Sequence, residues 1–186
     1  AHIRRQLESR GANLIVLGFG GNEASDERTE DAFYEDYVEV LQRMRQGRED
    51  LGCLVFSPLD QATRERGRIR TLDTIPLIVS AQRRAAFDSG CAFYDTWQAM
   101  GGENAMRRWY KARPRLAMGD FRHATPAGYE IIGNMFYKAL LAGFAGYLET
   151  GSAAAPASTD AAEAVDSSPG SGIPSSNAES NTSPKR

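Results

Sequence analysis

Asn13-Leu14-Ile15-Val16-Leu17-Gly18 is the stretch that decides the fold. Four large aliphatic residues run without a polar break and stop at a glycine-rich turn, Phe19-Gly20-Gly21-Asn22. A strand with one wet face alternates apolar and polar side chains. A strand without alternation has apolar layers on both faces, as in a parallel sheet covered by helices. The expectation is a strand buried on both faces, with its working loop beyond its carboxyl end.

The chain on either side repeats that logic. Thr29 to about Arg45 reads as a helix, with Thr29 as cap, Glu30 and Asp31 in the first turn, and Phe33, Tyr37, Val40, Leu41 and Met44 on one face. Cys53-Leu-Val-Phe56 is a second buried strand, followed by Ser57-Pro58 and a polar, arginine-rich loop from Gln61 to about Thr74. A helix from Pro76 to about Phe87 precedes a third strand, Cys91 to Tyr94. An irregular stretch reaches Gly119. Thr125 then caps a final helix from Pro126 to about Leu148, with Tyr129, Ile132, Met135, Phe136, Leu140 and Phe144 as its buried face.

The order α-β-α-β-α-β-α, with crossovers long enough for parallel pairing, predicts a three-layer, doubly wound parallel α/β sheet. Three strands are few for such a sheet, where about five or six are usual. The sheet is therefore expected to be incomplete on its amino-terminal side, and to self-associate through its open edge. The folded domain is assigned to residues 1–148 and a Ser/Ala/Pro/Gly-rich tail to residues 149–186. From Gly151 onward Val165 and Ile173 are the only large aliphatics, too little apolar surface to offset an ordering cost of roughly 1–2 kcal/mol per residue.

Composition narrows the function. The net charge of the 186 residues is −2, all of it contributed by the tail, so no overall field points to nucleic acid. No run of residues approaches the roughly 18 apolar positions of a membrane span. Two cysteines and two histidines lack zinc-finger spacing. Cys53 and Cys91 read as buried small hydrophobes. No metal or organic cofactor is implied.

Two loops carry candidate chemistry. Gly20-Gly21-Asn22-Glu23 does not fit a dinucleotide fingerprint, but it places a small amide donor where backbone can approach a ligand. Gly119-Asp120-Phe121-Arg122-His123 sets a carboxylate three residues before an imidazole. That spacing lets Asp120 fix one ring nitrogen and leaves the other free as a general base. His2 lies in the first helix, so His123 is the histidine available to the core.

Together, Leu17-Gly-Phe-Gly-Gly-Asn-Glu23 and Gly119-Asp-Phe-Arg-His-Ala-Thr-Pro-Ala-Gly-Tyr129, about 100 residues apart, resemble the SGNH hydrolases, or GDSL-type esterases. The segment Gly90-Cys-Ala-Phe-Tyr-Asp-Thr-Trp97 also looks like one found in bacterial members. The resemblance covers roughly residues 1–148. It implies a flavodoxin-like α/β fold and hydrolysis of a carboxylic ester by a Ser-His-Asp triad. His123 would be the base, Asp120 its orienting acid and Asn22 an oxyanion donor, with Gly20, Gly21 and Glu23 supporting the loop. Acetyl esters of a cell-wall or other polysaccharide are the implied substrates. An acyltransferase to a carbohydrate hydroxyl, or a non-catalytic carbohydrate-binding or scaffold remnant, would keep the same loops.

One part of the pattern is missing. No Gly-Asp-Ser block precedes Asn22, nor does the family's second glycine block appear. Ser9 lies in an arginine-rich helical context, and Ser57 reads as a turn residue. The expectation is that the chain is the carboxyl-terminal portion of a larger hydrolase, with its serine in a missing amino-terminal segment and no activity alone. Export to the periplasm or cell envelope is expected from the family. Arg107, Arg108, Lys111, Arg113 and Arg115 surround Trp109 and Tyr110 and read as a solvated lid or a site for an anionic ester. Asp95 reads as a cap, and Arg122 as exposed.

Overall fold

A computed structural model describes residues 2–48 and 50–151. The tail assigned from residue 149 lies, from residue 152 on, outside the described residues. Helix α1 (His2–Ser9) leads into β1 (Leu14–Leu17). A single 3₁₀ turn, Glu23–Ser25, precedes α2 (Glu30–Arg45), β2 (Gly52–Phe56), and a hairpin of β3 (Ala62–Glu65) and β4 (Arg68–Thr71). Then come α3 (Thr74–Asp88), β5 (Ala92–Tyr94), two short helices α4 (Thr96–Ala99) and α5 (Ala105–Lys111), and α6 (Pro126–Thr150).

The main sheet is parallel, in the order β1-β2-β5. One face of it packs on α2 and α3. Ile15, Leu17, Cys53 and Val55 point into that layer and meet Leu41, Ala85 and Ala86. The caps form as the sequence indicates: the Thr29 hydroxyl accepts from the Ala32 amide, and the Thr125 hydroxyl from the Gly128 amide.

The opposite face departs from expectation. Leu14 and Val16 are 57% and 53% exposed, so β1 is buried on one face only. β1 is also the sheet edge, because β2 is its only partner among the described residues. The layer that should cover it is α6, and only part of α6 reaches the sheet. The Phe136 ring packs edge-on against Phe56 and Tyr94 at 4.7 and 5.1 Å, and Ile132 and Met135 join a second core. Tyr129, Leu140 and Phe144, expected on the buried face, are exposed. By length and composition alone, the 25-residue α6 would suffice to cross a membrane. Its contacts with Phe56 and Tyr94 place its first half on the domain instead.

Three further expectations are corrected. The polar loop after β2 is in fact the β3–β4 hairpin, antiparallel with Ala62 opposite Thr71 and Glu65 opposite Arg68. Its two-residue turn, Arg66-Gly67, has both φ angles positive (48° and 78°), as a tight hairpin with right-twisted strands demands. The irregular stretch before Gly119 contains α4 and α5. Cys53 and Cys91 are joined in a disulfide with Cα atoms 4.9 Å apart, rather than being separate thiols. The register explains this. Leu54 lies opposite Ala92, so the residues just before them face each other, and both cysteines are buried.

The second core holds up the functional end. Ala62 and Ile69 of the hairpin, Met106 and Trp109 of α5, and Ala117 and Ala124 pack together beneath Phe121. Its polar centre is Asp60, fully buried, whose carboxylate accepts from the Trp97 indole (3.2 Å) and the Met106 amide (2.7 Å). Burial raises the Asp60 pKa, against the hydrogen bonds that lower it. Asp60→Ala would strand two buried donors, and we expect it to cost about 3 kcal/mol. Urea unfolding should show a midpoint shift of that size.

Candidate active site

Asp120 and His123 form one compact unit. The loop is pinched by Ala117 bridging to Ala124, with the Met118 amide donating to the His123 carbonyl at 2.8 Å. Asp120 Oδ1 accepts from the amides of Arg122 (2.9 Å) and His123 (3.1 Å). Its other oxygen, Oδ2, lies 2.7 Å from His123 Nδ1. Phe121 turns the corner with φ +58°, a left-handed conformation that costs a non-glycine residue roughly 1–3 kcal/mol. The packing of Phe121 on Tyr110, ring centroids 4.9 Å apart, accompanies that conformation.

The electrostatics follow from these contacts. Hydrogen bonding to His123, then to the Arg122 amide, holds the Asp120 carboxyl well below its ordinary value, at about 2. An ionised Asp120 favours the tautomer with the proton on Nδ1, which leaves Nε2 basic. His123 is 63% exposed, and among the described residues no hydroxyl or thiol is hydrogen-bonded to Nε2.

The loop must sit close to α6, and Gly128 permits it. A Cβ at Gly128 would lie 2.1 Å from the Leu116 carbonyl oxygen, which itself accepts from the Thr125 amide at 2.9 Å. This explains the glycine in the Pro-x-Gly-Tyr continuation.

The Asn22 loop is fixed just as firmly. Gly20 has φ +103°, and a Cβ there would meet Ile78, Gln82 and Tyr37 at 2.9–3.2 Å. The Glu23 carboxylate accepts from the Gly20 amide at 3.0 Å, so Glu23 supports the turn. Gln61 donates to the Gly21 carbonyl (2.7 Å) and Gln82 to the Phe19 carbonyl (2.9 Å). Asn22 is exposed, and its side chain makes no capping hydrogen bond. Its amide protons are free for a ligand.

The two loops meet. Arg122, the neighbour of His123, donates to Ser25 Oγ at 3.1 Å, and Ser25 is three residues beyond Asn22. Arg122 is exposed as expected, but it bridges the loops as well. Two other serines are engaged elsewhere. Ser57 is buried, donates toward Asp95 at 3.3 Å and accepts from the Trp97 amide at 3.0 Å. Ser9 donates to its own helix at Gln6. Asp95 caps α4 through the Gln98 amide (2.8 Å) and pairs with Arg83 (2.6 Å), the role expected of it.

No protein-family model matches the chain, and no curated protein sequence does. Solved structures do. One is a peptidoglycan O-acetylesterase, 22% identical with a TM-score of 0.64 over 72% of this chain and 38% of that one. Another is a GDSL-like lipase from Bacteroides thetaiotaomicron, 20% identical with a TM-score of 0.50 over 74% of this chain and 66% of that one. The chain shares the α/β fold of these structures, with helices around a parallel sheet. The chain spans only 38% of the length of the O-acetylesterase structure it resembles. Among the described residues, no group of three His, Cys, Asp or Glu side chains could hold a metal ion.

Proposed function

We propose that this chain supplies the base and oxyanion side of a serine ester hydrolase. His123 is the general base, Asp120 its orienting acid and Asn22 an oxyanion donor, and Gly20, Gly21 and Glu23 set the Asn22 loop. The attacking serine comes from a segment outside residues 1–186, and the substrate is a carboxylic ester, best an O-acetyl group on a cell-wall or other polysaccharide. The observation that carries the reading is the pair at 2.7 Å between Asp120 and Nδ1, with Nε2 unused and the Asn22 loop tied alongside through Arg122 and Ser25.

The chemistry balances at these atoms. Nε2 takes the serine proton as the serine oxygen bonds to the ester carbon. The carbonyl oxygen becomes an oxyanion and accepts from the Asn22 amide. Collapse breaks the bond to the alcohol, which leaves with the proton from Nε2. Water then repeats the cycle on the acyl serine and releases the acid.

Two features of β1 support completion from outside: Leu14 and Val16 leave one face apolar and uncovered, and β1 is the edge strand of the sheet. The Cys53–Cys91 bridge supports export, because disulfides persist in oxidising compartments. Hydrolysis of p-nitrophenyl acetate tests the reading. Residues 1–186 alone should not exceed the uncatalysed rate, and the same residues together with the proposed serine segment should. Turnover by the short chain alone would put the serine inside it.

A smaller effect isolates the oxyanion donor. Asn22→Ala in the active protein should lower kcat by about 10²–10³ with little change in KM, as expected for a donor engaged only in the transition state. Steady-state kinetics on the same ester measures it.

A further inference from the structure

Arg64 lies with its guanidinium over the Phe121 ring, 5.3 Å from its centroid. Arg115 lies over the Tyr110 ring at 4.5 Å. The two rings meet edge to face. The result is a continuous ledge, Arg64–Phe121–Tyr110–Arg115, built on the loop that carries Asp120 and His123. The hairpin is fastened to the same loop, with the Ala62 amide donating to the Phe121 carbonyl at 2.9 Å.

The charge of this region is anomalous. Residues 61–73 and 107–123 hold ten of the 22 lysines and arginines but only three of the 24 carboxylates. Several arginines meet acids: Arg70 within the region pairs with Glu65 and Asp73, and outside it Arg28 pairs with Asp36, Arg43 with Glu39, Arg48 with Asp50, Arg83 with Asp95 and Arg84 with Asp31. Arg64 and Arg115 meet none among the described residues. A guanidinium stacked on a ring is held in one plane, with its in-plane N–H donors still available, and that fork matches a carboxylate.

We propose that this ledge is a binding subsite for a carboxylate-bearing sugar, so that the ester acted on sits on an acidic glycan. The proposal rests on the hydrolase reading above and names its substrate class. Arg64 and Arg115 each engage a carboxylate on the chain flanking the ester, while the half-buried rings of Tyr110 and Phe121 offer apolar contact to the sugars. The region's excess charge draws the polymer toward His123.

Isothermal titration of residues 1–186 tests it without turnover, using hexagalacturonate, neutral cellohexaose and a twelve-nucleotide oligothymidylate at low salt. Hexagalacturonate should bind at least tenfold more tightly than cellohexaose. Arg64→Gln and Arg115→Gln should each weaken it about tenfold, as losing a charge-assisted contact implies, while Arg43→Gln on α2 leaves it unchanged. Thermal melts of each variant check the fold, and two independent positions guard against one failing. Equal binding of acidic and neutral hexamers overturns the proposal. So do variants within twofold of the parent, or oligothymidylate bound as tightly as hexagalacturonate, which marks an indiscriminate cationic surface. Hydrolysis and its dependence on His123 are separate measurements, so the two readings fail independently.

Discussion

His123→Ala in the active protein should lower kcat for p-nitrophenyl acetate by about 10⁴-fold or more, the loss that its proposed role as triad base implies. Nε2 is the basic nitrogen at the exposed end of a ring whose other nitrogen is held by Asp120 at 2.7 Å. Alanine removes the proton acceptor and leaves nothing in its place. Folding should barely change, because the side chain is 63% exposed and its contact to Asp120 lies at the surface. A melting temperature within a degree or two of the parent, together with the kinetic loss, assigns the effect to chemistry. Equal rates in both proteins would remove His123 from the mechanism.

Asp120→Asn should be nearly as damaging, at about 10⁴-fold in kcat. Asparagine keeps the shape, and its oxygen still accepts from the Arg122 and His123 amides, so the turn survives. The group facing Nδ1 becomes an NH₂ donor. The ring must then present an acceptor at Nδ1 and carry its proton on Nε2, where it cannot take one from serine. The same couple sets an acid limit. The carboxyl is depressed to about 2, so its contribution to stability is complete above its ordinary value near 3.8 and is lost as pH falls from there toward 2. The carboxyl carbon shift of Asp120, followed by NMR, should titrate in that low range in the parent and move upward in His123→Ala, with the Arg122 and residue-123 amides still holding it below the ordinary range.

Much of this was legible in the sequence, for identifiable reasons. Leu14–Leu17 and Cys53–Phe56 are unbroken apolar runs between turn signals, and they form the parallel strands. Thr29 and Thr125 stand where a cap must stand, and both cap. Asp120 and His123 are close in sequence, so their contact is local and their spacing fixes it. The failures have two sources, local disguise and long-range contact. Arg64 and Arg70 disguise two strands, because the hairpin buries only Ala62, Ile69 and Thr71, and Arg66-Gly67 lacks the usual Asn or Asp before glycine. Nothing local marks Asp60, whose partners are 37 and 46 residues away. The disulfide depends on strand register, which composition does not specify. Leu14 and Val16 read as buried because a sequence cannot say which layer is present to cover them.

The most direct test of the central claim is to label the active protein with a fluorophosphonate and map the adduct by mass spectrometry. The expected result is one modified serine, outside residues 1–186, whose labelling falls sharply in His123→Ala. An adduct on Ser25, Ser57 or any other residue of this chain, or labelling indifferent to His123, would contradict it.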